Sequence, residues 1–169
     1  TRRSSDLGLP SKKFILATAH RAENVDDHDR LSGMLEGMRM AGKDLGMEVL
    51  FPMHPRTQGK VKGFGISLNG IRVIEPVGFL DFLQLESNAG LILSDSGGVQ
   101  EEACILGVPC VTMRDNTERP ETIEVGANML AGIQPQKILS AAKDMIGRQG
   151  WKNPFGDGTA SKQMLDAIV

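Results

Sequence analysis

Ser96, Gly97 and Gly98, with Glu102 behind them, are the residues of this chain whose types and spacing best suit chemistry on a phosphorylated ligand. They lie in S-D-S-G-G-V-Q-E-E-A, Ser94 to Ala103, where an apolar run from Gly90 to Leu93 passes through Ser96-Gly97-Gly98 into a helical pattern, Val99 to Leu106. Adjacent glycines let the backbone approach a ligand closely, and the free N–H groups of a first helical turn carry a partial positive charge that favours an anion. Ser96 adds a hydroxyl donor. Glu102 falls one turn into the helix, where a carboxylate can accept hydrogen bonds from the two hydroxyls of a ribose whose phosphates rest on the turn. The combination points to a nucleotide diphosphate; Ser-Gly-Gly alone would only point to a turn.

Three further polar signatures read in two ways each. His20-Arg21-Ala22-Glu23-Asn24 puts an imidazole and a guanidinium just past a strand, able to meet phosphate oxygens or move a proton near neutral pH, or else forms a surface loop with a capping Asn. His54-Pro55-Arg56-Thr57 either brings a second imidazole to the same rim or is a tight turn with a helix cap. Arg114-Asp115-Asn116-Thr117-Glu118-Arg119-Pro120-Glu121 is either a solvated, self-paired charge run or a loop that turns Arg119 or Glu118 toward ligand. No metal-spaced His or Cys cluster, no G-x-G-x-x-G and no Walker sequence is present, so neither a metal nor a cofactor is expected, and hydride or phosphoryl transfer loses support.

Stepping outward, short apolar strands alternate with helical patterns. Strands are expected at Phe14 to Ala17, Val49 to Met53, Ile71 to Ile74, Gly90 to Leu93, Pro109 to Met113 and near Met129-Leu130. Helices are expected at Asp27 to Leu45, Thr57 to Phe64, Phe79 to Ser87, Val99 to Leu106, from Pro120 through Val125, and at Pro135 to Gly147. That alternation predicts an α/β domain, a doubly wound parallel sheet covered on both faces. Ligands bind such sheets beyond the carboxyl ends of the strands, and every polar signature above follows a strand, including the loop expected from Thr18 to Asn24. The signatures should therefore gather on one rim. The methionines of the first long helix, Met34 and Met38 among them, read as core.

At 169 residues, 40% apolar and 24% charged, the chain suits one soluble Rossmann-like domain, with a linker-like start over 1–12 and a turn-rich tail with a short closing helix over 150–169. A net charge of -2 with scattered Lys and Arg gives no electrostatic case for nucleic acid or a membrane surface. No apolar run is long enough to span a bilayer and no signal-peptide core opens the chain, so a cytoplasmic location is expected. Cys104 and Cys110 fall in a helical and a strand pattern and read as buried thiols.

Five segments in order, T-A-H-R-A-E-N-V, P-M-H-P-R-T, S-D-S-G-G-V-Q-E-E-A, R-D-N-T-E-R-P-E and N-P-F-G-D-G-T-A-S, resemble the non-hydrolysing UDP-N-acetylglucosamine 2-epimerases from Phe14 onward. The resemblance implies the second, UDP-binding domain of a two-domain GT-B-type architecture, the first domain being absent. It implies interconversion of UDP-N-acetylglucosamine and UDP-N-acetylmannosamine by elimination and re-addition of UDP in a homodimeric parent protein. By the same resemblance His20 is the functional histidine. Ser96, Gly97 and Gly98 bind phosphate, Glu102 the ribose, and Arg119 and Glu118 sugar or phosphate, with Arg21, Glu23 and His54 as further contacts. Ala22 departs from the second Arg that many bacterial members carry in a substrate-activation site. Several acid and base carboxylates of the family belong to the first domain, so this chain alone is expected to bind UDP and to be inactive. The alternatives are a GT-B glycosyltransferase domain and a hydrolysing 2-epimerase.

Overall fold

The computed structural model describes residue 8 and residues 10–168, so most of the linker-like start lies outside the described residues. Six strands form one sheet: β1 (Phe14–Thr18), β2 (Glu48–Pro52), β3 (Arg72–Ile74), β4 (Leu91–Ser94), β5 (Cys110–Thr112) and β6 (Asn128–Leu130). Their order is β3-β2-β1-β4-β5-β6 and all pairings are parallel. The helices are α1 (Ala22–Val25), α2 (His28–Leu45), α3 (Pro55–Phe64), α4 (Phe79–Asn88), α5 (Gly97–Leu106), α6 (Pro120–Glu124), α7 (Pro135–Met145) and α8 (Ala160–Ile168). The doubly wound parallel sheet expected from the sequence is present.

Strand periodicity sorts the core into two layers, as alternation across a pleat requires. Ile15 and Ala17 face α2, α3 and α7 with Leu31, Met34, Leu35, Met38, Val61 and Ile138. Phe14 and Leu16 face the other way, packing with Leu85, Val99 and Ala103 of α4 and α5. Each such side chain contributes roughly 1.5–3 kcal/mol by leaving water. On α2, Gly33 and Gly37 stand one turn apart and let α7 come close: a Cβ on Gly37 would fall 2.6 Å from Ile138 Cδ1 and one on Gly33 would fall 2.7 Å from the Ile133 carbonyl oxygen. Asp27 caps α2 by accepting the Arg30 N–H, and Gly46 closes it in the left-handed conformation.

One local expectation needs correcting. The polar loop assigned to Thr18 to Asn24 is partly regular: Thr18 ends β1, and Ala22–Val25 form a helical turn. Asn24 is fully buried, not a surface cap. The physical cause is tertiary, since Asp95 accepts the Arg21 N–H while the Arg21 carbonyl accepts the N–H groups of Asn24 and Val25. The tail behaves as its turn residues suggest, held to α5 where the Trp151 indole donates to the Cys104 carbonyl at 2.9 Å. No residue of α8 is buried, and Met164, Leu165 and Ile168 are exposed.

Candidate functional site

The sheet reverses its winding between β1 and β4, where Thr18 pairs with Ser94 in register. Their hydroxyls lie 2.7 Å apart in the buried seam, and the Ser94 hydroxyl also accepts the Ser96 N–H at 3.0 Å. The loops leaving the two strands splay apart here, which creates the crevice used by ligands of open α/β sheets. Asp95, fully buried, holds the two loops together. Its carboxylate accepts the backbone N–H of His20 at 3.1 Å, that of Arg21 at 3.0 Å and the Asn24 amide at 3.2 Å, and meets Nδ1 of the His20 ring at 3.2 Å. Burial alone would push this carboxyl up. The hydrogen bonds from His20, Arg21 and Asn24 outweigh it and hold the group below the usual carboxylate range.

Directly after Asp95 the chain enters α5. Ser96 is its N-cap but makes no side-chain cap bond, so the first-turn N–H groups are not capped by that hydroxyl. Gly97 and Gly98 follow. Neither has the positive φ that demands glycine. A Cβ at Gly97 would meet Glu118 Oε2 at 3.6 Å and Arg21 Nη2 at 3.8 Å, and one at Gly98 would meet only Ser96 Oγ at 3.9 Å, all ordinary contacts. Backbone conformation and internal packing both tolerate a side chain at these positions. Gly97 is buried under the Glu118 carboxylate and the Arg21 guanidinium, and the exposed Gly98 leaves an open approach to the helix end.

The loop from Arg114 to Arg119 is fastened from below. Arg114, almost fully buried, donates to Glu118 at 2.6 and 2.9 Å, to Asn116 at 2.9 Å and to Glu23 at 3.2 Å. Hydrogen bonds from Arg114 hold the Glu118 carboxyl down at about 2, and Arg21 adds to this from 3.5 Å. A second anchor runs through Gln100 of α5, whose Oε1 accepts the Thr117 hydroxyl at 2.5 Å and the Asn128 amide at 3.2 Å. Asn128 in turn joins Thr112 and Thr122. This buried chain ties β5, β6 and α6 to the helix that opens the site.

A cavity of about 260 Å³ opens beside the α5 N-terminus, lined by His20, His54, Pro76, Val77, Phe82 and Val99 with Thr18, Ala19 and Pro52. It is mainly apolar. Val99 and Glu102 stand one turn apart on α5, as Phe82 and Glu86 do on α4, and the two acids act on each other. Glu86 is fully buried, and burial followed by the charge of Glu102 pushes it up to about 8. Burial raises Glu102 as well, though hydrogen bonding with Glu86 works against that.

The structure brings His20, Arg21, Ser96, Gly97, Gly98 and Glu118 together at the helix end. Glu102 sits one turn deeper on α5 and Glu23 underneath the loop, paired with Arg114. Arg119 turns away from the turn toward Glu101, forming an ion pair, and donates to the Glu118 carbonyl. His54 does both things proposed for it: its ring accepts the Arg56 N–H as N-cap of α3, and it lines the cavity. Sequence reasoning missed Asp95, Asn24, Gln100, Phe82 and Glu86. A signal existed for Glu86, because Phe82, Leu85, Glu86 and Ala89 follow the i, i+3, i+4, i+7 spacing of one buried face. Cys104 and Cys110 are buried and unpaired, and burial raises both thiols. Among the described residues no group of three or more His, Cys, Asp or Glu is placed to hold a metal, and no helix is long and apolar enough to cross a membrane.

Comparison with known proteins places this chain in a family. A family model described as UDP-N-acetylglucosamine 2-epimerase matches residues 2–169. The UDP-N-acetylglucosamine 2-epimerase of Methanocaldococcus jannaschii is 50% identical over 162 residues, covering 92% of this chain and 44% of that protein. The UDP-2,3-diacetamido-2,3-dideoxy-D-glucuronate 2-epimerase of Pseudomonas aeruginosa is 43% identical over 171 residues, covering 99% of this chain and 48% of that protein. The chain thus spans less than half the length of these relatives. The crystal structure of the Methanocaldococcus jannaschii enzyme in complex with UDP-GlcNAc and UDP superposes with a TM-score of 0.84 at 49% identity over 92% of this chain and 44% of that one. A heptosyltransferase, WaaC of E. coli, shares only the fold, with a TM-score of 0.52 at 12% identity over 94% of this chain and 44% of that one. The glycine turn beneath Arg21 and Glu118, the Asp95 clamp on His20 and the fastened Arg114 loop are thus set in a Rossmann-like domain that belongs to the UDP-N-acetylglucosamine 2-epimerase family.

Proposed function

We propose that this chain is the UDP-binding half of an epimerase that interconverts UDP-N-acetylglucosamine and UDP-N-acetylmannosamine. The observation that carries the reading is the end of α5, where Gly97 and Gly98 are glycine without conformational need, Gly98 is exposed, and the Arg21 guanidinium stands beside Gly97 with Glu118 as its ion-pair partner. The diphosphate sits there on the first-turn N–H groups, with the Ser96 hydroxyl as an added donor. The ribose hydroxyls reach Glu102, and the base enters the apolar cavity of Pro76, Val77 and Phe82.

The proposed chemistry is the one that the family resemblance implies. The bond between C1 of the sugar and the diphosphate oxygen breaks, the proton on C2 is lost, and a 2-acetamidoglucal with free UDP results. UDP then adds back to C1 while C2 takes a proton on the opposite face, which inverts that centre. Preorganised N–H groups and Arg21 stabilise the negative charge that develops on the departing diphosphate, where fixed donors cost no reorganisation. Asp95 fixes the His20 ring, and that imidazole is assigned to the reacting end of the diphosphate. The carboxylates that move the C2 proton belong to the other half of the site, so this chain alone binds UDP without turnover.

Calorimetric titration of UDP, with Glu102→Ala alongside, tests the reading. Saturable binding that weakens about tenfold in the variant is expected, the scale of a hydrogen bond to a charged acceptor. Absence of saturable heat would sink the half-site. Proton NMR of the chain incubated with UDP-N-acetylglucosamine should show no epimerised product, and measurable product would refute the inactivity. The 43% identical diacetamido-glucuronate relative keeps a second sugar in play, which the same spectra on the full-length enzyme with each nucleotide sugar would resolve.

A further inference from the structure

Glu86 has no exposed surface, and among the described residues no donor group reaches either of its carboxylate oxygens. It lies on the inward face of α4, among Phe82, Leu85 and Ala89, and packs toward α5. The group within hydrogen-bonding reach is another acid, Glu102. Glu101 stands beside Glu102 on α5, and the remaining titratable neighbour is the Cys110 thiol on β5. The nearby cation, Lys12, donates to the Ser87 carbonyl of α4, so among the described residues the groups acting on Glu86 are an acid and a thiol.

Two carboxyl groups can share such a contact only if one of them carries a proton. The enclosed partner keeps it, because an ionised carboxylate without donors is costly to bury. Glu102 is only partly buried, so a charge costs less there than on Glu86. Burial and the facing Glu102 push Glu86 up to about 8, in agreement with this assignment.

We infer that Glu86, as a neutral acid, donates a hydrogen bond to Glu102 and holds that carboxylate in place for the ribose hydroxyls. Glu86 is then a positioning residue for nucleotide recognition, and the inference rests on the reading of Glu102 given above. Ionising Glu86 sets two like charges against each other and drives Glu102 out of position.

The test compares UDP with 2′-deoxy-UDP by calorimetry between pH 6.5 and 9. The phosphates and the base titrate alike in both ligands, so the ratio of affinities isolates the ribose contact. Below pH 8 UDP should bind about tenfold more tightly, and the ratio should fall toward one above it. Glu86→Gln supplies a permanent amide donor, and its ratio should stay high and flat. A wild-type ratio well above one at every pH would overturn the inference alone, as would a Glu86→Gln protein that keeps the wild-type fall. Equal affinities for the two ligands at every pH would sink the ribose role of Glu102 and the inference with it. No saturable binding by either ligand would sink the diphosphate site itself, and the inference with it. Should Glu86→Gln not fold, the wild-type ratio decides the matter by itself.

Discussion

Oδ1 of Asp95 stands 3.2 Å from Nδ1 of His20, and the same carboxylate accepts the His20 backbone N–H at 3.1 Å. A carboxylate facing Nδ1 places the imidazole proton on that nitrogen and leaves Nε2 as the one able to engage a ligand. The ring is therefore held by its neighbour in both orientation and tautomer.

Asp95→Asn should disturb both. An amide cannot accept all of these donors, so the protein should lose about 2 kcal/mol of stability, the usual cost of leaving buried polar groups unpaired. Because the Asp95 carboxyl is held low, its contribution exists above the unfolded value near pH 4 and disappears as the pH falls through the folded value. Urea unfolding at pH 3 and pH 7 checks this: the gap between wild type and variant should narrow at the lower pH, and an equal gap would contradict the account.

Gly98→Ala should separate folding from binding. The added methyl meets nothing closer than Ser96 Oγ at 3.9 Å, and replacing glycine in a helix is stabilising by up to about 1 kcal/mol. The melting temperature should hold or rise while UDP affinity drops tenfold or more, because the methyl occupies the approach to the first-turn N–H groups. Unchanged affinity would mean that the diphosphate lies elsewhere.

Gln100→Leu should strip the Arg114 loop of its second anchor. Thr117 and Asn128 would lose their shared acceptor, at roughly 1–3 kcal/mol for each buried group left unpaired. Hydrogen exchange at the amides of 116–119 should accelerate relative to those of β1. Equal protection in both proteins would show that Arg114 alone suffices to hold the loop.

Glu86 gives stability an unusual slope. An acid that stays protonated in the fold but ionises in the unfolded chain makes stability fall as pH rises from the unfolded value, between 4 and 5, to the folded value of about 8. One proton limits the slope to about 1.4 kcal/mol per pH unit. Urea midpoints from pH 5 to 8 should decline in the wild type and flatten in Glu86→Gln; parallel slopes would contradict the assignment.

Sequence periodicity located each strand and nearly every helix within a residue or two, because β1, β2 and β4 are short buried apolar runs and α2 and α7 carry regular stripes. The glycine turn was legible for a local reason: Ser96-Gly97-Gly98 and Glu102 fall within seven residues of one another. Asp95 was not, since its partners His20, Arg21 and Asn24 lie 71–75 residues earlier and only the sheet order brings them near. The short helix Ala22–Val25 escaped for the same reason. Arg119 has a carboxylate partner in Glu101 that its own loop does not contain.

The Thr18–Ser94 seam joins the two central strands of the sheet, so the proposed ligand groups hang from the strands expected to open last. A ligand bound there by contacts from both loops can remain bound only while that seam is closed. Nucleotide binding should consequently protect the whole domain as one cooperative unit, by about 2.7 kcal/mol at a ligand concentration one hundred times its Kd. The crevice is in this sense a clasp on the folding transition itself, and saturation with nucleotide should slow proteolysis at sites as remote as α7.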